Sequence, residues 1–179
     1  MSPLVSVITP LRRGDEVLSR CRASLYSQTV TNWDWIIVES AAGAPVNRNV
    51  GAEGARGRFL YFLDADVELS PDCFARHLQT LHDWPHAAYA YSGFRWAGAI
   101  EQVHTPPAFD GEALQRGPNY VSTMSMIRGS CFPGWDERCP RLQDWELFSR
   151  MWHLGLRGVR TTPEPLFTAW SKPGDISTG

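Results

Sequence analysis

The stretch Phe59-Leu60-Tyr61-Phe62-Leu63-Asp64-Ala65-Asp66 decides which fold the rest of the sequence must fit. Five large apolar residues in a row predict a strand that is buried on both faces of a sheet. Two carboxylates directly after such a strand are costly unless something pairs with them. A divalent cation bound to a phosphate ester would do so. The stretch therefore predicts a metal-assisted enzyme with a phosphate-bearing substrate.

The segments before this strand predict alternating strands and helices. Leu4–Thr9 is typical of a short strand that Pro10 stops, and Trp33–Val38 is typical of a second strand. Apolar residues recur at helical spacing over Glu16–Tyr26, and a further helix is expected over Asn47–Ala55. Strand, helix, strand, helix, strand in this order indicates right-handed βαβ units. We expect one α/β domain over residues 1–179, with a mainly parallel central sheet flanked by helices.

The remaining sequence is less regular. The patterns predict a helix that starts at Ser70-Pro71-Asp72, a hairpin over Ala87–Val103, a long loop over His104–Asn119, a strand over Tyr120–Ile127, an amphipathic helix over Leu142–Leu154 and a last strand over Val159–Ala169.

Composition excludes several broad classes of protein. The formal net charge of -2 over 179 residues gives no basis for general nucleic-acid binding. No apolar stretch reaches the roughly 18 residues of a membrane span, and the N-terminus does not resemble a signal peptide. The four cysteines show no C-x-x-C spacing, so we expect reduced thiols rather than a zinc site or disulfides. These features together predict a cytoplasmic protein.

The carboxyl ends of the predicted parallel strands should meet at one edge of the sheet, where α/β proteins bind ligands. Thr9-Pro10, Glu39-Ser40 and Asp64-Ala65-Asp66 stand at these ends. Mg²⁺ or Mn²⁺, held by one or two carboxylates and by substrate phosphates, suits such a set. The alternative for Asp64 and Asp66 is an ordinary turn with helix-capping carboxylates before Ser70.

Two further constellations contain candidate functional residues. Asp144 lies at the start of a helix, where an acidic residue ordinarily complements the helix dipole, but a carboxylate beside a cleft can also take a proton from an attacking hydroxyl. Arg48 lies at another helix start and could contact a pyrophosphate, or it could belong to a plain surface helix capped by Asn47.

The chain resembles the GT-A glycosyltransferases of the large inverting family 2 type. The matching pieces are Val5–Pro10, Trp33–Ser40, Arg48–Ala52, Gly57–Asp66 and Gln143–Leu147, in the order that the family has them. Each piece is loose by itself, whereas the ordered set is specific. The resemblance implies the GT-A fold and transfer of a sugar from a UDP- or GDP-sugar to a carbohydrate or other hydroxyl acceptor.

The resemblance also implies roles for single residues. Thr9, Pro10 and Glu39 would line the nucleoside pocket, and Arg48 would lie near the nucleotide.

On the reaction side, the resemblance places Asp64 by the ribose and the metal. Asp66 would ligate the Mg²⁺ or Mn²⁺ that bridges the diphosphate, and Asp144 would be the general base. Trp135 and Trp145 could stack on a sugar face, with a core role equally open for Trp145.

Three departures from the family pattern bear on the donor. Glu39-Ser40 stands where the family usually has Asp-Asp, and a short segment joins Glu39 to Asp64 where the family has an additional strand and helix. Lys172 stands where a histidine is typical. The short segment should shrink the wall around the nucleoside.

Two other functions stay open on these grounds. One is a catalytically weak or inactive GT-A-like module that binds a nucleotide or a partner, which the shortened wall and Glu39 motivate. The other is a nucleotidyltransferase, although Leu11-Arg12-Arg13-Gly14 is only a faint version of the phosphate loop which that class needs. The small size also leaves a homo-oligomer as one way to complete the site.

Overall fold

The computed structural model describes residues 2–99 and 101–171. Within these residues the chain forms one sheet and five α-helices. The elements in chain order are β1 (Val5–Arg12), α1 (Ser19–Tyr26), β2 (Trp33–Ser40), α2 (Ala44–Gly54), β3 (Phe59–Phe62), β4 (Val67–Leu69), α3 (Cys73–Asp83), β5 (Tyr89–Gly98), β6 (Gln102–His104), α4 (Gly111–Arg116), β7 (Met126–Arg128), α5 (Gln143–His153) and β8 (Gly158–Ser171).

The sheet has eight strands in the order β2-β1-β3-β7-β5-β8-β4, with β6 paired to β5. β1 is parallel to both β2 and β3, as the alternating pattern predicts. Beyond β3 the sheet is mixed: β5 is parallel to β8, whereas β7 is antiparallel to β3 and β5, and β4 is antiparallel to β8. The chain reverses at Asp64–Asp66 and again in the β5–β6 hairpin, and these reversals give a mixed sheet.

Helices cover both faces of the sheet. On one face, Val5, Val7 and Phe74 belong to a core that includes residues of α1 and α3. On the other face, Ile8 and Phe148 belong to a core that includes residues of α2 and α5. All five residues of the predicted central strand are at most 5% exposed, so this strand is buried on both faces as its sequence predicts.

Two predicted boundaries in the first βαβ unit are wrong for identifiable reasons. Pro10 does not stop β1, because it lies beyond Ile8–Phe62, the last pair that β1 forms with β3. A proline without its N–H is tolerated where a neighbouring strand has ended. The first helix starts at Ser19 rather than Glu16, because the N–H of Leu18 donates to the carbonyl of Ala65 at 3.0 Å and keeps Leu18 extended.

Two predictions in the second half also fail. The expected loop over His104–Asn119 contains α4, which Asp110 caps by accepting the N–H of Ala113 at 3.0 Å. The expected strand over Tyr120–Ile127 is reduced to β7. Hydrogen bonds from side-chain hydroxyls to the backbone compete with strand pairing there. One example is the bond that Ser125 Oγ donates to the carbonyl of Ser122 at 2.6 Å.

The close packing of α2 on the sheet gives a stability prediction. A Cβ at Gly51 would overlap Cγ2 of Ile8, whereas a Cβ at Gly54 on the same helix would have no neighbour within 4 Å. We expect Gly51→Ala to lower the free energy of unfolding by about 1–3 kcal/mol through overpacking. Gly54→Ala, the matched control, should raise it by up to about 1 kcal/mol through helix propensity. Urea denaturation measures both, and equal stabilisation by the two variants would contradict this packing.

Candidate active site

The turn Asp64-Ala65-Asp66 lies at the carboxyl end of β3 and is fixed by backbone hydrogen bonds from three segments. The carbonyl of Asp64 accepts the N–H of Val67 at 3.2 Å, that of Ala65 accepts Leu18 at 3.0 Å, and that of Asp66 accepts Trp170 at 3.3 Å. The backbone of the turn is therefore held in place by main-chain contacts.

Cys21 lies beneath this turn. Its thiol donates to the carbonyl of Asp64 at 3.6 Å. Burial, followed by the negative charges of Asp66 and Asp64, raises the pKa of the Cys21 thiol to about 12. The charges of both carboxylates therefore reach the Cys21 thiol. All four cysteines have free side chains.

Arg48 is buried in α2 and links the elements of the site. Its Nη2 donates to Asp64 Oδ1 at 2.7 Å, and its Nη1 donates to Gln143 Oε1 at 2.6 Å. The guanidinium carbon lies 4.9 Å from the ring centroid of Trp135. Arg48 is 5% exposed, so its side chain lies on the buried face of α2 and is no exposed surface group. It fixes the end of β3 relative to the start of α5.

Asp144 lies in the first turn of α5, next to Gln143, and is half-buried. Its Oδ1 accepts the backbone N–H of Trp145 at 2.9 Å. Burial raises the pKa of Asp144 above the ordinary aspartate value, while this N–H and the charge of Arg48 oppose the rise and the charge of Asp64 adds to it. Asp144 therefore belongs to the same electrostatic cluster as Arg48 and Asp64.

The predicted nucleoside-pocket residues lie at the neighbouring strand ends. Glu39 Oε1 accepts the N–H of Gly14 at 3.0 Å, and Pro10 is half-buried. Thr9 is fully buried and its hydroxyl accepts the indole N–H of Trp35 at 2.9 Å. The expectation that Thr9 lines a pocket is therefore wrong for its side chain, which is enclosed and bonded to Trp35 of β2.

Sequence reasoning missed how the turn at Trp135 is held. Asn49 donates through Nδ2 to the carbonyl of Trp135 at 3.0 Å and accepts its N–H at 2.8 Å. Trp135 is 4% exposed beneath Arg48, so it supports the site from below and does not present a sugar-stacking face. The indole N–H of Trp145 donates to the carbonyl of Leu114 at 2.6 Å, which fixes its ring against α4.

The residues suit a cation that arrives with a phosphate. Among the described residues, His, Cys, Asp and Glu form no group of three or more that could hold a metal by themselves. Asp64 and Asp66 share one turn, and Mg²⁺ in enzymes is commonly held by one or two carboxylates plus substrate phosphates. Burial lowers the pKa of His77 to about 3, so this imidazole is a neutral core group far from such chemistry. Lys172 lies outside the described residues.

Comparison with known proteins shows the family of the chain. The model of the family described as Glycosyl transferase family 2 matches residues 41–132, just over half of the chain, which include Arg48, Asp64 and Asp66. The O-antigen biosynthesis protein RfbC of Myxococcus xanthus is 29% identical over 158 residues, which cover 70% of this chain and 12% of that protein. TuaG of Bacillus subtilis, provisionally named a teichuronic acid biosynthesis glycosyltransferase, is 27% identical over 119 residues, or 51% of this chain and 47% of TuaG.

The chain thus spans an eighth to about half of the length of these relatives. Among solved structures, S. aureus TarS 1-349 in complex with UDP-GlcNAc superimposes with a TM-score of 0.76 at 16% identity, covering 100% of this chain and 61% of that one. The complex of TarS 1-349 with UDP gives a TM-score of 0.74 at 15% identity, covering 97% of this chain and 61% of that one. These likenesses confirm the predicted GT-A fold. No helix within residues 2–99 and 101–171 is long and apolar enough to cross a bilayer.

Proposed function

Because the chain belongs to glycosyl transferase family 2, we propose that it moves a sugar from a nucleotide-diphosphate sugar to an acceptor hydroxyl, with inversion at the anomeric carbon. The observation that carries the proposal is the cluster in which Arg48 bonds both Asp64 at 2.7 Å and the residue before Asp144 at 2.6 Å. The cluster joins a candidate cation site to a candidate base through one buried side chain.

We assign the donor to the edge formed by the ends of β1, β2 and β3. Pro10, Glu39 and the backbone of Thr9 lie beside the nucleoside, and Asp64 and Asp66 lie beside the diphosphate. The UDP and UDP-GlcNAc complexes of TarS make uridine nucleotides the first donors to test. The four free cysteines fit a reducing compartment, so we assign the reaction to the cytoplasm.

Asp144 performs the proton transfer. Its carboxylate accepts the proton of the acceptor hydroxyl as the oxygen attacks the anomeric carbon from the side opposite the diphosphate. One bond forms from acceptor oxygen to carbon, the bond from carbon to phosphate oxygen breaks with its electron pair on the diphosphate, and the single displacement inverts the configuration.

The pKa of Asp144 suits this task. A base is most effective when its pKa approaches the working pH, and burial raises the pKa of Asp144 in that direction. The N–H of Trp145 and the positive charge of Arg48 oppose the rise. Arg48 therefore acts as a positioning residue, since it also holds Asp64 and Gln143 in place.

Asp66 and Asp64 would hold Mg²⁺ or Mn²⁺. A bound cation would stabilise the negative charge of the departing diphosphate as a Lewis acid. Two features support this assignment. Both aspartates lie in the turn at the end of β3, and Arg48 orients the Asp64 carboxylate by bonding it at 2.7 Å.

One observation favours a second candidate, a nucleotide-binding module with little catalytic activity. β2 is an edge strand of the described sheet, and α2 is the one helix between β2 and β3. The nucleoside wall beyond Glu39 is correspondingly short, as the sequence predicts. Weak donor binding with slow turnover would favour this candidate.

The test is a panel of UDP- and GDP-sugars incubated with the protein and Mn²⁺, followed by proton NMR of the anomeric signals. We expect turnover of at least one donor, and the first product formed should have the anomeric configuration opposite to that of the donor. A product that keeps the donor's configuration contradicts the single displacement. Absence of turnover across the panel contradicts the enzymatic proposal and leaves the binding module.

A further inference from the structure

A second cleft lies on the α2 side of the sheet, away from the donor edge. It has a volume of about 700 Å³ and lies between α2, the start of β3 and the segment that follows β7. This volume falls within the range of small-molecule sites, about 300–1,000 Å³. Arg58 at one end of the cleft and Asp64 of the candidate cation site are at opposite ends of β3, roughly 20 Å apart at about 3.3 Å per residue. This end of the cleft therefore lies away from the donor site.

The other end of the cleft approaches the active cluster. Asn49 and Gly134 line this end, and Asn49 holds both backbone groups of Trp135, at 3.0 and 2.8 Å. The ring of Trp135 in turn lies beneath the guanidinium of Arg48, which bonds Asp64. A chain-like ligand lying in the cleft would therefore extend toward the reaction site.

The floor of the cleft is apolar and rigid. Leu60, Ala52 and Phe132 contribute to it, and the ring of Phe132 packs 5.1 Å from that of Phe62 in the core. A pyranose ring presents an apolar C–H face that packs on such a surface. Because the core already orders Phe132, little side-chain entropy is lost when a ligand covers it.

The rim of the cleft is polar and suits hydroxyl groups. Glu53, Glu137, Arg58 and Ser130 line it and are exposed. Asn49 Nδ2 donates to Glu137 Oε1 at 2.9 Å and orients that carboxylate. Carboxylates accept hydrogen bonds from hydroxyls, and the guanidinium and the serine hydroxyl donate them.

The charges of the rim disfavour an anionic occupant. The two negative charges of Glu53 and Glu137 exceed the one positive charge of Arg58, so a nucleotide or a uronic acid would meet net electrostatic repulsion. An apolar floor, a hydroxyl-binding rim and a slight negative charge together match a neutral saccharide. We propose that this cleft binds a neutral oligosaccharide and serves as the distal part of the acceptor site. The acceptor role rests on the proposed function, whereas saccharide binding itself does not.

The test measures saccharide binding without any donor. Neutral oligomers of glucose, galactose, mannose and N-acetylglucosamine, from two to six units, are titrated by saturation-transfer NMR, with oligogalacturonate as the anionic comparison. Ser130→Trp and Glu53→Trp place an indole in the cleft at exposed positions, and Val50→Trp places one on the same helix at a 50% exposed residue outside it. We expect at least one neutral series to bind, and the two cleft variants to bind it about tenfold more weakly, a change of about 1.4 kcal/mol.

Val50→Trp should bind like the wild type, and oligogalacturonate should bind more weakly than the neutral series. If no neutral series binds the wild type, or if the cleft variants bind as well as Val50→Trp, the cleft is not a saccharide site. Donor turnover, measured in the same samples, separates this result from failure of the proposed function. If the wild type turns over a donor but the cleft variants bind saccharide as well as the wild type does, this proposal alone is overturned. If saccharide binds as expected but no donor is turned over, the glycosyltransferase proposal alone is overturned.

Discussion

Asp144→Asn is expected to lower kcat by a factor of about 10² to 10⁴, the usual contribution of a general base. The amide matches the carboxylate in size and can still accept the N–H of Trp145, which Asp144 Oδ1 accepts at 2.9 Å. It cannot take a proton from the acceptor at neutral pH. The dissociation constant of the nucleotide diphosphate should change by less than about twofold, since the diphosphate is assigned to the other side of Arg48. Initial-rate kinetics and calorimetry on the same preparation measure both quantities.

Glu146→Gln is the matched control on the same helix, because its carboxylate bonds Arg150 at 2.6 Å and lies outside the cluster. This variant should keep its kcat. In the wild type, turnover should fall as the pH drops through the pKa of Asp144, which burial raises, because the protonated carboxyl cannot act as a base. Equal losses of turnover and donor binding in Asp144→Asn would show that Asp144 has no specific part in the proton transfer.

Asp66→Asn is expected to reduce transfer in the presence of Mn²⁺ to the level measured with EDTA. A neutral amide oxygen is a much weaker ligand for a hard cation than a carboxylate. The turn itself should persist, because main-chain bonds to Leu18 and Trp170 hold Ala65 and Asp66. Circular dichroism and the urea midpoint verify the fold of the variant, and coupled detection of released nucleoside diphosphate measures transfer.

Asp72→Asn is the control for this substitution. Asp72 lies before α3 and contacts Arg76 at 3.9 Å in a largely exposed pair, so its loss should leave transfer unchanged. Full activity of Asp66→Asn, with the same response to Mn²⁺ as the wild type, would remove Asp66 from the cation site and favour the alternative of a plain turn.

The parts of the fold that the sequence predicts are those with local signals. The apolar run Phe59–Leu63 is buried throughout, and the helix predicted at Leu142–Leu154 is present as Gln143–His153. Periodicity and burial arise from near neighbours in the chain, so they can be inferred without knowledge of the tertiary structure.

The contacts inside the site could not be predicted in this way. Arg48 bonds Gln143, which lies 95 residues further along the chain. This contact depends on how α2 and α5 pack around β3, and local pattern contains no information on it. Gln143 had one available signal, its position next to Asp144 in the first turn of α5.

The errors in the sequence-based prediction have tertiary causes too. Thr9 lies within β1, and the Trp35 side chain from β2 covers it and bonds its hydroxyl. The antiparallel pairing of β7 with β3 follows from the reversal in the β5–β6 hairpin, since β6 and β7 are both antiparallel to β5. The six residues of α4, which lies between β6 and β7, are too few to show periodicity. By contrast, the short segment between Glu39 and Asp64 is visible in the sequence, and β2 is accordingly an edge strand.

The central claim is that the carboxyl ends of β1, β2 and β3 form a cation-dependent site for a nucleotide diphosphate. Isothermal titration of the wild type with UDP and with GDP, each in the presence of Mn²⁺ or of EDTA, tests it most directly. We predict that one of the two nucleotides binds to the wild type in the presence of Mn²⁺. EDTA should weaken this binding at least about tenfold, a loss of about 1.4 kcal/mol in binding free energy. In Asp66→Asn, Mn²⁺ should no longer affect nucleotide binding. Binding of neither nucleotide, or binding that is equally tight with EDTA, would contradict the claim.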